Sequence, residues 1–573
     1  MRQLPAWLLV AVPALILWTI WINTLIGSNF LNNASTKLHG NFLHITDLHP
    51  DPNYKTNATA RSSCHKMDNV RIQKKPAHMK VGTSGAWGAP ATICDTPIQL
   101  VDATFDWLAA NWADKLDFII WTGDNSRHDS DEKKPRKLKE IMDLNRMIAD
   151  KFLTAFSATK HLHPRRNKKA PKLIPIVPSL GNNDVYPSNI VEQGPNSILD
   201  TYMDIWSAFI PKSQLSTFRL GGYYVTEVIP KRLIVVSLNT LYFFESNTAV
   251  KGCRATDEPG TVEMSWLNQV LHKAQKKGMK AYLTGHVAPS KKRYTQSCWN
   301  KYGRIANKYH DTILGHLYGH ANMDHFYFVR SKGGKTKSPF AQTTNTEEND
   351  NHETIVEEES NAVESSLSSE EETHTEENDE DGKVEANVYD INRYVHRLLD
   401  HYKEVPLITR EMAYQYSVIN VNPSVIPTFF PALRIYQYNT TEIINLNAIN
   451  ASKGKNGDYD EVHKNTFLSP IGFVQYFVNL TKANENPDQI PEYEVEYTTK
   501  GDYHMTDLTI DSWLRLARRI AKDGLKGSLW KKFRNHLMVG SRDVLKSRME
   551  CAEGRDCTRV KGPGDYLASL GGY

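Results

Sequence analysis

Five short apolar runs in the first 330 residues each end in a cluster of Asp, Asn or His residues. Two of them are "NFLHITDLH" (Asn41 to His49) and "LDFIIWTGDN" (Leu116 to Asn125). Their length and composition predict β-strands, and amphipathic helical patterns such as Ile98 to Trp112 and Glu263 to Gly278 lie between them. Alternating strands and helices predict an α/β domain with much parallel sheet, in which functional residues collect at the carboxyl ends of strands.

The polar clusters follow one another as D-x-H, G-D-x-x-x-H-D, G-N-x-D, G-H and G-H-x-x, an order that is hard to produce by chance. Any one cluster alone is more typical of a hydrogen-bonded turn than of a metal site. Together they supply carboxylate, imidazole and amide groups without thiolates, a set that suits hard or borderline divalent cations. The clusters comprise Asp47 and His49; Asp124, Asn125, His128 and Asp129; Asn182, Asn183 and Asp184; His286; and His316, His320, Asn322, Asp324 and His325.

This ordered series resembles the calcineurin-like metallophosphoesterases over about residues 40–330, most closely the branch that contains acid sphingomyelinase and the fungal vacuolar endopolyphosphatases. A wider resemblance to the endopolyphosphatases includes an N-terminal apolar run, an acidic insertion and the segment "NPSVIPTFFPALRIYQYN" after it. The resemblance implies an α/β fold, a four-layer αββα sandwich of two mixed sheets flanked by helices. It also implies endo-hydrolysis of phosphoanhydride bonds in inorganic polyphosphate.

The same resemblance implies two divalent metal ions, with Zn, Mn, Fe, Co and Mg all open. Two such ions neutralise charge on the phosphate and lower the pKa of bound water to about 7. Asp47 and His49 would hold one ion, and Asp124 would bridge both and be catalytic. The residues at the family's metal-ligand positions are Asp47, His49, Asp124, Asn182, His286, His320 and Asn322.

Two positions depart from the family pattern. Asn322 stands where the family has the second histidine of GHxH, and an amide oxygen is a weaker ligand than imidazole; Asp324 and His325 are possible substitutes nearby. Asn183 replaces the histidine that helps to protonate the leaving oxygen. His128 resembles a substrate-facing position of the sphingomyelinase branch, so we expect it to act as the acid or as a transition-state stabiliser.

The segment Lys291, Lys292 and Arg293 follows His286 and is a candidate substrate-binding patch, because a polyphosphate chain is an extended anion. Two rival functions stay open. One is a phosphodiesterase that acts on a sphingomyelin-like lipid or a nucleotide. The other is a catalytically decayed protein that binds polyanions, which the departures at Asn183 and Asn322 keep possible.

One uncharged apolar run, Ala6 to Ile26, would span roughly 30 Å as a helix and could cross a bilayer. Arg2 precedes it and the next charged residue is Lys37, which predicts a cytosolic tail and a lumenal body. A cleaved signal peptide is the alternative. With the family resemblance, these features predict a single-pass type II protein of the vacuole membrane. No nucleic-acid partner is expected, and the oligomeric state is open.

Sequons and cysteines agree with entry into the secretory route. Six cysteines without a CxxC spacing favour disulfides over a thiolate metal site. They permit fifteen pairings, and closeness alone suggests Cys551 with Cys557. The candidate glycosylation sites are Asn33, Asn57, Asn439, Asn450 and Asn479.

The formal charge of +4 hides an uneven distribution. Glu347 to Asp381 contains 16 acidic residues and no Lys or Arg, which predicts disorder and leaves a basic remainder suited to an anionic substrate. The acidic run could be a spacer, an autoinhibitory mimic of a polyanion, a protease-accessible loop or a solvated insertion without a specific role. The predicted organisation is a tail (1–5), an anchor (6–26), a stalk (27–40), a catalytic domain (41–330), an acidic insertion (331–386) and a C-terminal region packed on the catalytic domain (387–573).

Overall fold

The computed structural model describes residues 39–67, 84–157, 173–330, 388–405, 413, 415–426, 428–441 and 467–544, with side chains from residue 394 onward in the segment that begins at 388. Among these residues, no helix combines the length and the apolar composition needed to cross a bilayer. The predicted anchor and acidic insertion lie outside the described ranges, as does the predicted stalk up to residue 38; its last two residues, 39 and 40, belong to a strand.

The described residues form two large sheets and one short parallel pair. The strands are β1 (His39–Ile45), β2 (Pro50–Asp51), β3 (Thr96–Pro97), β4 (Phe118–Trp121), β5 (Ile176–Pro178), β6 (Tyr224–Ile229), β7 (Leu233–Ser237), β8 (Lys280–Val287), β9 (Ile313–Gly319), β10 (His325–Arg330), β11 (Tyr416–Val421), β12 (Ala432–Asn439), β13 (Pro470–Phe477) and β14 (Glu494–Thr498). The helices are α1 (Ile98–Trp112), α2 (Leu138–Phe156), α3 (Ser197–Ile205), α4 (Leu215–Gly221), α5 (Pro259–Lys276), α6 (Gln296–Lys308), α7 (Val388–Glu404), α8 (Leu480–Glu485), α9 (Thr499–Tyr503), α10 (Ile510–Asp523) and α11 (Ser528–Leu537).

Both large sheets have six strands and are mixed. The first has the order β14-β13-β12-β1-β4-β5, and the second has the order β10-β11-β9-β8-β7-β6. β1, β4 and β5 run parallel in the first sheet, as do β11, β9, β8 and β7 in the second. The strands that end in the polar clusters are therefore parallel neighbours, and their carboxyl ends meet at one edge of each sheet.

The two sheets pack face to face through aromatic side chains. The ring of Phe42 on β1 stacks between Phe118 and Tyr436 of its own sheet and lies 5.1 Å from the ring of Tyr282 on β8 of the other sheet. These side chains are buried. The packed mixed sheets with their helices agree with the α/β metallophosphoesterase fold that the resemblance implied.

The chain after the acidic insertion lies within both sheets. β12 pairs with β1 in the first sheet, and β11 lies between β10 and β9 in the second. The structure differs here from the predicted division at residue 330, because four of the twelve strands in the two large sheets, β11 to β14, follow the acidic insertion. The physical reason is hydrogen bonding: removal of β12 would expose the ladder edge of β1, which carries Asp47 and His49 at its end.

Two disulfides are present among the described residues: Cys64–Cys94 and Cys253–Cys298. The prediction that these cysteines form disulfides is confirmed. The suggested pair Cys551–Cys557 lies outside the described residues. The Cys64–Cys94 disulfide links the segment after β1 to the residue before Asp95, whose side chain belongs to the site described below.

Next to this disulfide, His65 bridges two loops. Its Nε2 atom lies 2.8 Å from Asp51 Oδ2, and its Nδ1 atom lies 2.7 Å from Asp131 Oδ2. Burial opposes protonation, but hydrogen bonds and charge from Asp51 and Asp131 raise the pKa of His65 above 6.5. The bridge should therefore stabilise the fold most when His65 is charged.

We expect the variant His65→Gln to lose more stability at about pH 5.5 than at about pH 8.5. A group whose pKa is raised in the folded state contributes stability that is fully present below its unfolded pKa and is lost as the pH rises through its folded pKa. Urea unfolding of both proteins at each pH measures the difference. His272→Gln, on the exposed face of α5, is the control; an equal loss for His65→Gln at both pH values would contradict the prediction.

Candidate metal centre

The backbone brings the ends of β1 and β4 together. Asp47 N donates to Gly123 O at 3.0 Å, and the amides of Leu48 and His49 both donate to Asp124 O, at 3.0 and 3.1 Å. The loop after β9 joins them, because His320 N donates to Asp47 Oδ2 at 3.0 Å. Predicted ligands from three strands thus lie in one place.

Backbone strain is concentrated at the same residues. Five of the seven predicted ligands have positive φ, a conformation that is uncommon for residues other than glycine and is found at functional sites when the surroundings enforce it. They are Asp47 (51°), His49 (37°), Asp124 (57°), His320 (70°) and Asn322 (55°). The tight turns redirect each side chain immediately after its strand ends.

Two glycines of the motifs allow the turns to approach one another. A Cβ atom on Gly181 would lie 2.1 Å from Asp124 Oδ1, and one on Gly319 would lie 2.5 Å from Asp47 Oδ2. Both distances are far below van der Waals contact, so any side chain there would push a carboxylate out of place. These two glycines are needed because they leave room for the carboxylates of Asp124 and Asp47.

Asp124 faces both halves of the site with one oxygen. Its Oδ2 atom lies 3.5 Å from His49 Nε2 on one side and 3.2 Å from His286 Nε2 on the other. His49 Nε2 is also 3.5 Å from Asp47 Oδ1. Ligand atoms around a tetrahedral ion, each about 2.0–2.2 Å from it, are separated by about 3.3 Å. Asp124 therefore occupies the position that a bridging carboxylate requires.

The second group is equally compact. Asn182 Oδ1 lies 2.8 Å from both His286 Nε2 and His320 Nδ1, and the two histidine nitrogens are 3.2 Å apart. Asp124, His286 and His320 form one set of side chains close enough to hold a single ion, and Asp47, His49 and Asp124 form another. The two sets share only Asp124.

Buried atoms without hydrogen-bond partners provide a test of whether these residues fit a metal. Within the described part of the chain, Asp47 Oδ1, His49 Nε2 and Asn322 Oδ1 are buried and have no such partner. An unsatisfied buried polar atom costs about 1–3 kcal/mol, and all three belong to the residues that the family pattern assigns to the first ion. The donor set therefore fits a bound divalent cation.

The electrostatics also favour a cation. Burial would lower the pKa of His49, yet Asp47 and Asp124 raise it to about 9. The pKa of His286 likewise rises to about 9 against burial, because Asp124 and Asp47 face it. Burial alone would raise the pKa of Asp124, but His286 and His49 hold it well below its usual range. Protons on His49 and His286 thus supply positive charge beside Asp47 and Asp124, which a bound cation would supply instead.

Carbonyl and carboxylate groups behind the ligands orient them. His49 Nδ1 lies 2.8 Å from Ser126 O, and His286 Nδ1 lies 2.7 Å from Thr122 O, so each ring turns Nε2 toward Asp124. Buried Asp184 accepts from the backbone amides of Asp124 and Asn125 at 2.8 and 2.7 Å. Asp184, part of a predicted cluster, therefore orders the turn that carries Asp124.

His128 lies beside the first group. Its ring stacks on His49 with ring centroids 4.1 Å apart, and about 29% of its side chain is exposed. Its Nδ1 atom lies 2.8 Å from Asp95 Oδ1, and its backbone amide donates to Asp95 Oδ2 at 2.6 Å. Sequence reasoning missed Asp95, which belongs to no motif; its position after Cys94, whose disulfide fixes this segment, was the available signal.

The Asn183 side chain is turned toward the bridging carboxylate. Its backbone amide donates to Asp124 Oδ1 at 2.8 Å, and its Nδ2 atom donates to Asp124 Oδ2 at 2.9 Å. Ser188 donates to Asn183 Oδ1 at 2.9 Å. Asn183 thus orients Asp124 and offers no acid to a leaving group.

Several members of the predicted clusters have other partners. Exposed Asp129 accepts from Arg136 N at 2.9 Å, and His316 Nδ1 lies 2.6 Å from the Tyr302 hydroxyl. Asp324 pairs with Arg434. His325 Nδ1 lies 3.1 Å from Met323 O, and burial lowers the pKa of this ring to about 3. Asp324 and His325 therefore have other partners in the structure, which does not support them as substitutes for Asn322.

The three residues of the basic segment after β8 differ in exposure. Lys291 and Lys292 are exposed, whereas Arg293 is half-buried. Burial and the positive charge of Arg293 together lower the pKa of His320 well below its usual range. The positive charge of Arg293 therefore acts on His320, and the two lysines that precede it are exposed.

The candidate glycosylation sites differ in exposure. Asn57 is exposed, Asn479 is half-buried and caps α8, and Asn439 is 8% exposed. Asn33 and Asn450 lie outside the described residues. Glycosylation stays a prediction, and Asn57 has the most accessible side chain of the three that are described.

Comparison with known proteins agrees with this geometry. Residues 40–322 match the family model of calcineurin-like phosphoesterases. A Cryptococcus neoformans protein named endopolyphosphatase is 38% identical over 72% of this chain and 59% of its own length. Endopolyphosphatases of Neurospora crassa and Saccharomyces cerevisiae are each 32% identical, over 86% and 84% of this chain and 79% and 83% of their own lengths.

The fold and the ligand set define a metal-dependent phosphoesterase. The similarity to the fungal proteins extends well beyond the matched catalytic region, into the strands that follow the acidic insertion. The chain therefore belongs to the endopolyphosphatase family of the calcineurin-like phosphoesterases.

Proposed function

We propose that this chain is an endopolyphosphatase, a hydrolase that cuts phosphoanhydride bonds within inorganic polyphosphate. The observation that carries the proposal is the Oδ2 atom of Asp124, which lies between His49 and His286, where it would bridge two ions. The relatives that bear this activity in their name cover most of the chain.

The residues that would hold the ions are Asp47, His49, Asp124 and Asn322 on one side, and Asp124, Asn182, His286 and His320 on the other. Bound divalent cations would supply charge neutralisation of the phosphate and acidify water. Metal identity stays open, since amide, imidazole and carboxylate ligands suit Zn, Mn, Fe, Co and Mg-like ions.

The chain's own groups orient the reaction. His128 projects next to His49 with its Nδ1 atom held by Asp95, so its Nε2 atom is directed away from that carboxylate and can donate a proton or a hydrogen bond to the leaving oxygen. Because Asp95 accepts from Nδ1–H, Nε2 has a proton to give only when the imidazole is in its protonated form. The proton would come from Nε2 of His128, since Asn183 is turned toward Asp124.

Substrate binding would use the positive charge beside the centre. Arg293 lies near His320, with Lys291 and Lys292 exposed next to it along the chain. A cluster of positive charges suits a long anionic chain better than a lipid with a neutral headgroup. This charge, with the basic remainder of the sequence, supports polyphosphate over the lipid alternative.

Gel analysis of long-chain polyphosphate over time, with a panel of divalent metals, tests the proposal. Products of intermediate length would support an endo-acting enzyme, whereas release of phosphate from chain ends without such products would contradict one. Sphingomyelin and a nucleotide diester are tested in parallel. Their cleavage without polyphosphate shortening would favour the lipid or nucleotide phosphodiesterase, and binding of polyphosphate without any turnover would indicate a decayed binding protein.

The proposed location is the vacuole membrane, with the catalytic body in the lumen and the Ala6 to Ile26 run as anchor. The apolar run, the two disulfides and the exposed sequon at Asn57 support it. Mobility on a gel before and after glycosidase treatment, with Asn57→Gln as the matched variant, tests lumenal exposure.

Asn322 provides a prediction about the first ion. Because imidazole is a better ligand than an amide oxygen for borderline ions such as Zn²⁺, we expect Asn322→His to tighten one Zn²⁺-binding step by about tenfold and Asn322→Ala to weaken it. Isothermal titration calorimetry of the metal-free chain measures both. Unchanged Zn²⁺ affinity in both variants would show that Asn322 is not a ligand.

A further inference from the structure

We infer that Arg434 is a positioning residue for the metal centre, which it serves by binding Asp324 and so holding the loop that carries His320 and Asn322. This ligand loop comprises residues 320–324, between β9 and β10. Arg434 acts through Asp324 and contacts no proposed ligand side chain in the described structure. The inference rests on the metal centre proposed above and names a residue, distant in sequence, on which that centre depends.

The ligand loop ends at a strongly bound carboxylate. Asp324 is 6% exposed, and its oxygens accept from the Arg434 guanidinium and the Tyr497 hydroxyl. Its backbone amide donates to Leu537 O at 3.1 Å. These three partners belong to β12, β14 and α11, all of which follow the acidic insertion. One residue of the loop is thus held by three elements of the C-terminal region.

Arg434 connects the two sheets at this point. It lies on β12 of the first sheet, opposite His44 on β1, and is 1% exposed. Its Nε atom donates to Gln475 Oε1 at 2.7 Å in the same sheet, and its Nη1 atom donates to Val421 O at 3.3 Å in the second sheet. Asp47 and His49 follow the end of β1. Arg434 therefore connects the two sheets whose strand ends must meet to form the first metal site.

The loop needs such an anchor because Asn322 has none of its own in the described structure. Its Oδ1 atom is buried without a hydrogen-bond partner and its φ is 55°. On one side, His320 N is bound to Asp47; on the other, two residues away, Asp324 is bound to Arg434. Without the ion pair, the Asp324 end of the strained turn keeps only the Tyr497 hydroxyl and the backbone bond to Leu537, so the turn at Asn322 can relax away from the ion.

Calorimetric titration of the full chain with Zn²⁺ alone and Mn²⁺ alone tests the inference for Arg434→Met, Asp324→Leu and the double variant. We expect the wild type to bind two ions and each variant to show one binding step weakened about 10–100-fold, the range found when groups that orient metal ligands are removed. Absorption spectra of the Co²⁺-substituted proteins should change, because the coordination geometry changes.

The double variant separates positioning from stability. Removing one partner of a buried ion pair is strongly destabilising, whereas replacing both by apolar residues is often neutral. If Arg434 positions the loop, the double variant recovers thermal stability but keeps the weakened metal step. Recovery of metal affinity together with stability would overturn the inference. Leu271→Ala, a buried change on α5, is the destabilised control whose metal affinity should match that of the wild type.

The result also distinguishes this inference from the proposed function. A wild type that binds fewer than two ions contradicts the metal centre itself. A wild type that binds two ions, with variants that bind them equally well, contradicts only the role of Arg434.

Discussion

The variant Asp124→Asn should lose about 10³-fold in kcat on polyphosphate. The shared oxygen of Asp124 lies between His49 and His286, and an amide there cannot carry the negative charge that holds two cations close together. A two-ion centre supplies several kcal/mol of transition-state stabilisation, and each 1.36 kcal/mol corresponds to a tenfold change in rate. Initial rates of chain shortening at saturating substrate, across a range of metal concentrations, measure the loss.

Asp129→Asn is the matched control for this variant. Asp129 lies on the same loop five residues later, but it is exposed and accepts from the backbone of Arg136. We expect its kcat to stay within about threefold of the wild type, as for a surface change away from the site. Metal-dependent activity that survives in Asp124→Asn would contradict the assignment of the centre.

The variant His128→Gln should lower kcat by on the order of 10²-fold or more, the usual range for removal of a positioned acid. Asp95→Asn should cost less, about tenfold to a hundredfold, because one charge-assisted hydrogen bond is worth about 1.5–3 kcal/mol. The physical reason is the contact between His128 Nδ1 and Asp95 Oδ1 at 2.8 Å, which fixes the orientation of the proposed proton donor.

Two substrates separate proton donation from general damage to the site. An aryl phosphodiester with a nitrophenol leaving group needs no proton, so His128→Gln should lose far less activity on it than on polyphosphate. Equal losses on both substrates would contradict the role of proton donor. His272→Gln, an exposed histidine on α5, should leave both rates unchanged.

Local patterns predicted the elements that local forces determine. The helix expected at Ile98 to Trp112 has those bounds, and the helix expected at Glu263 to Gly278 spans Pro259–Lys276. The strand runs before Asp47, Asp124 and Asn182 were also correct, although β5 is only three residues long. Apolar periodicity and strand-end polarity depend on a few neighbouring residues, so a single sequence contains them.

Local patterns could not predict three features of the site: the contact of Asp95 with His128, the orientation of Asn183 and the ion pair of Asp324. Asp95 reaches His128 across 33 residues, and Asp324 reaches Arg434 across 110. No pattern near either residue distinguishes a carboxylate that binds a cation from one that closes an ion pair. Asp324 was a candidate ligand by spacing, and the partner that occupies it is on a strand beyond the acidic insertion.

The sequence by itself determined which side chains stand at the ends of the strands, because each motif combines a buried strand with a glycine turn and a ligand. Only the tertiary structure decided which of them share an ion and what holds them there. In the proposed centre, Asp47 after a strand of one sheet and Asn322 after a strand of the other would hold the first ion. Arg434 on β12 reaches the loop of Asn322 through its ion pair with Asp324. Long-range pairing of that kind depends on how β12 adds to β1, and no local periodicity encodes it.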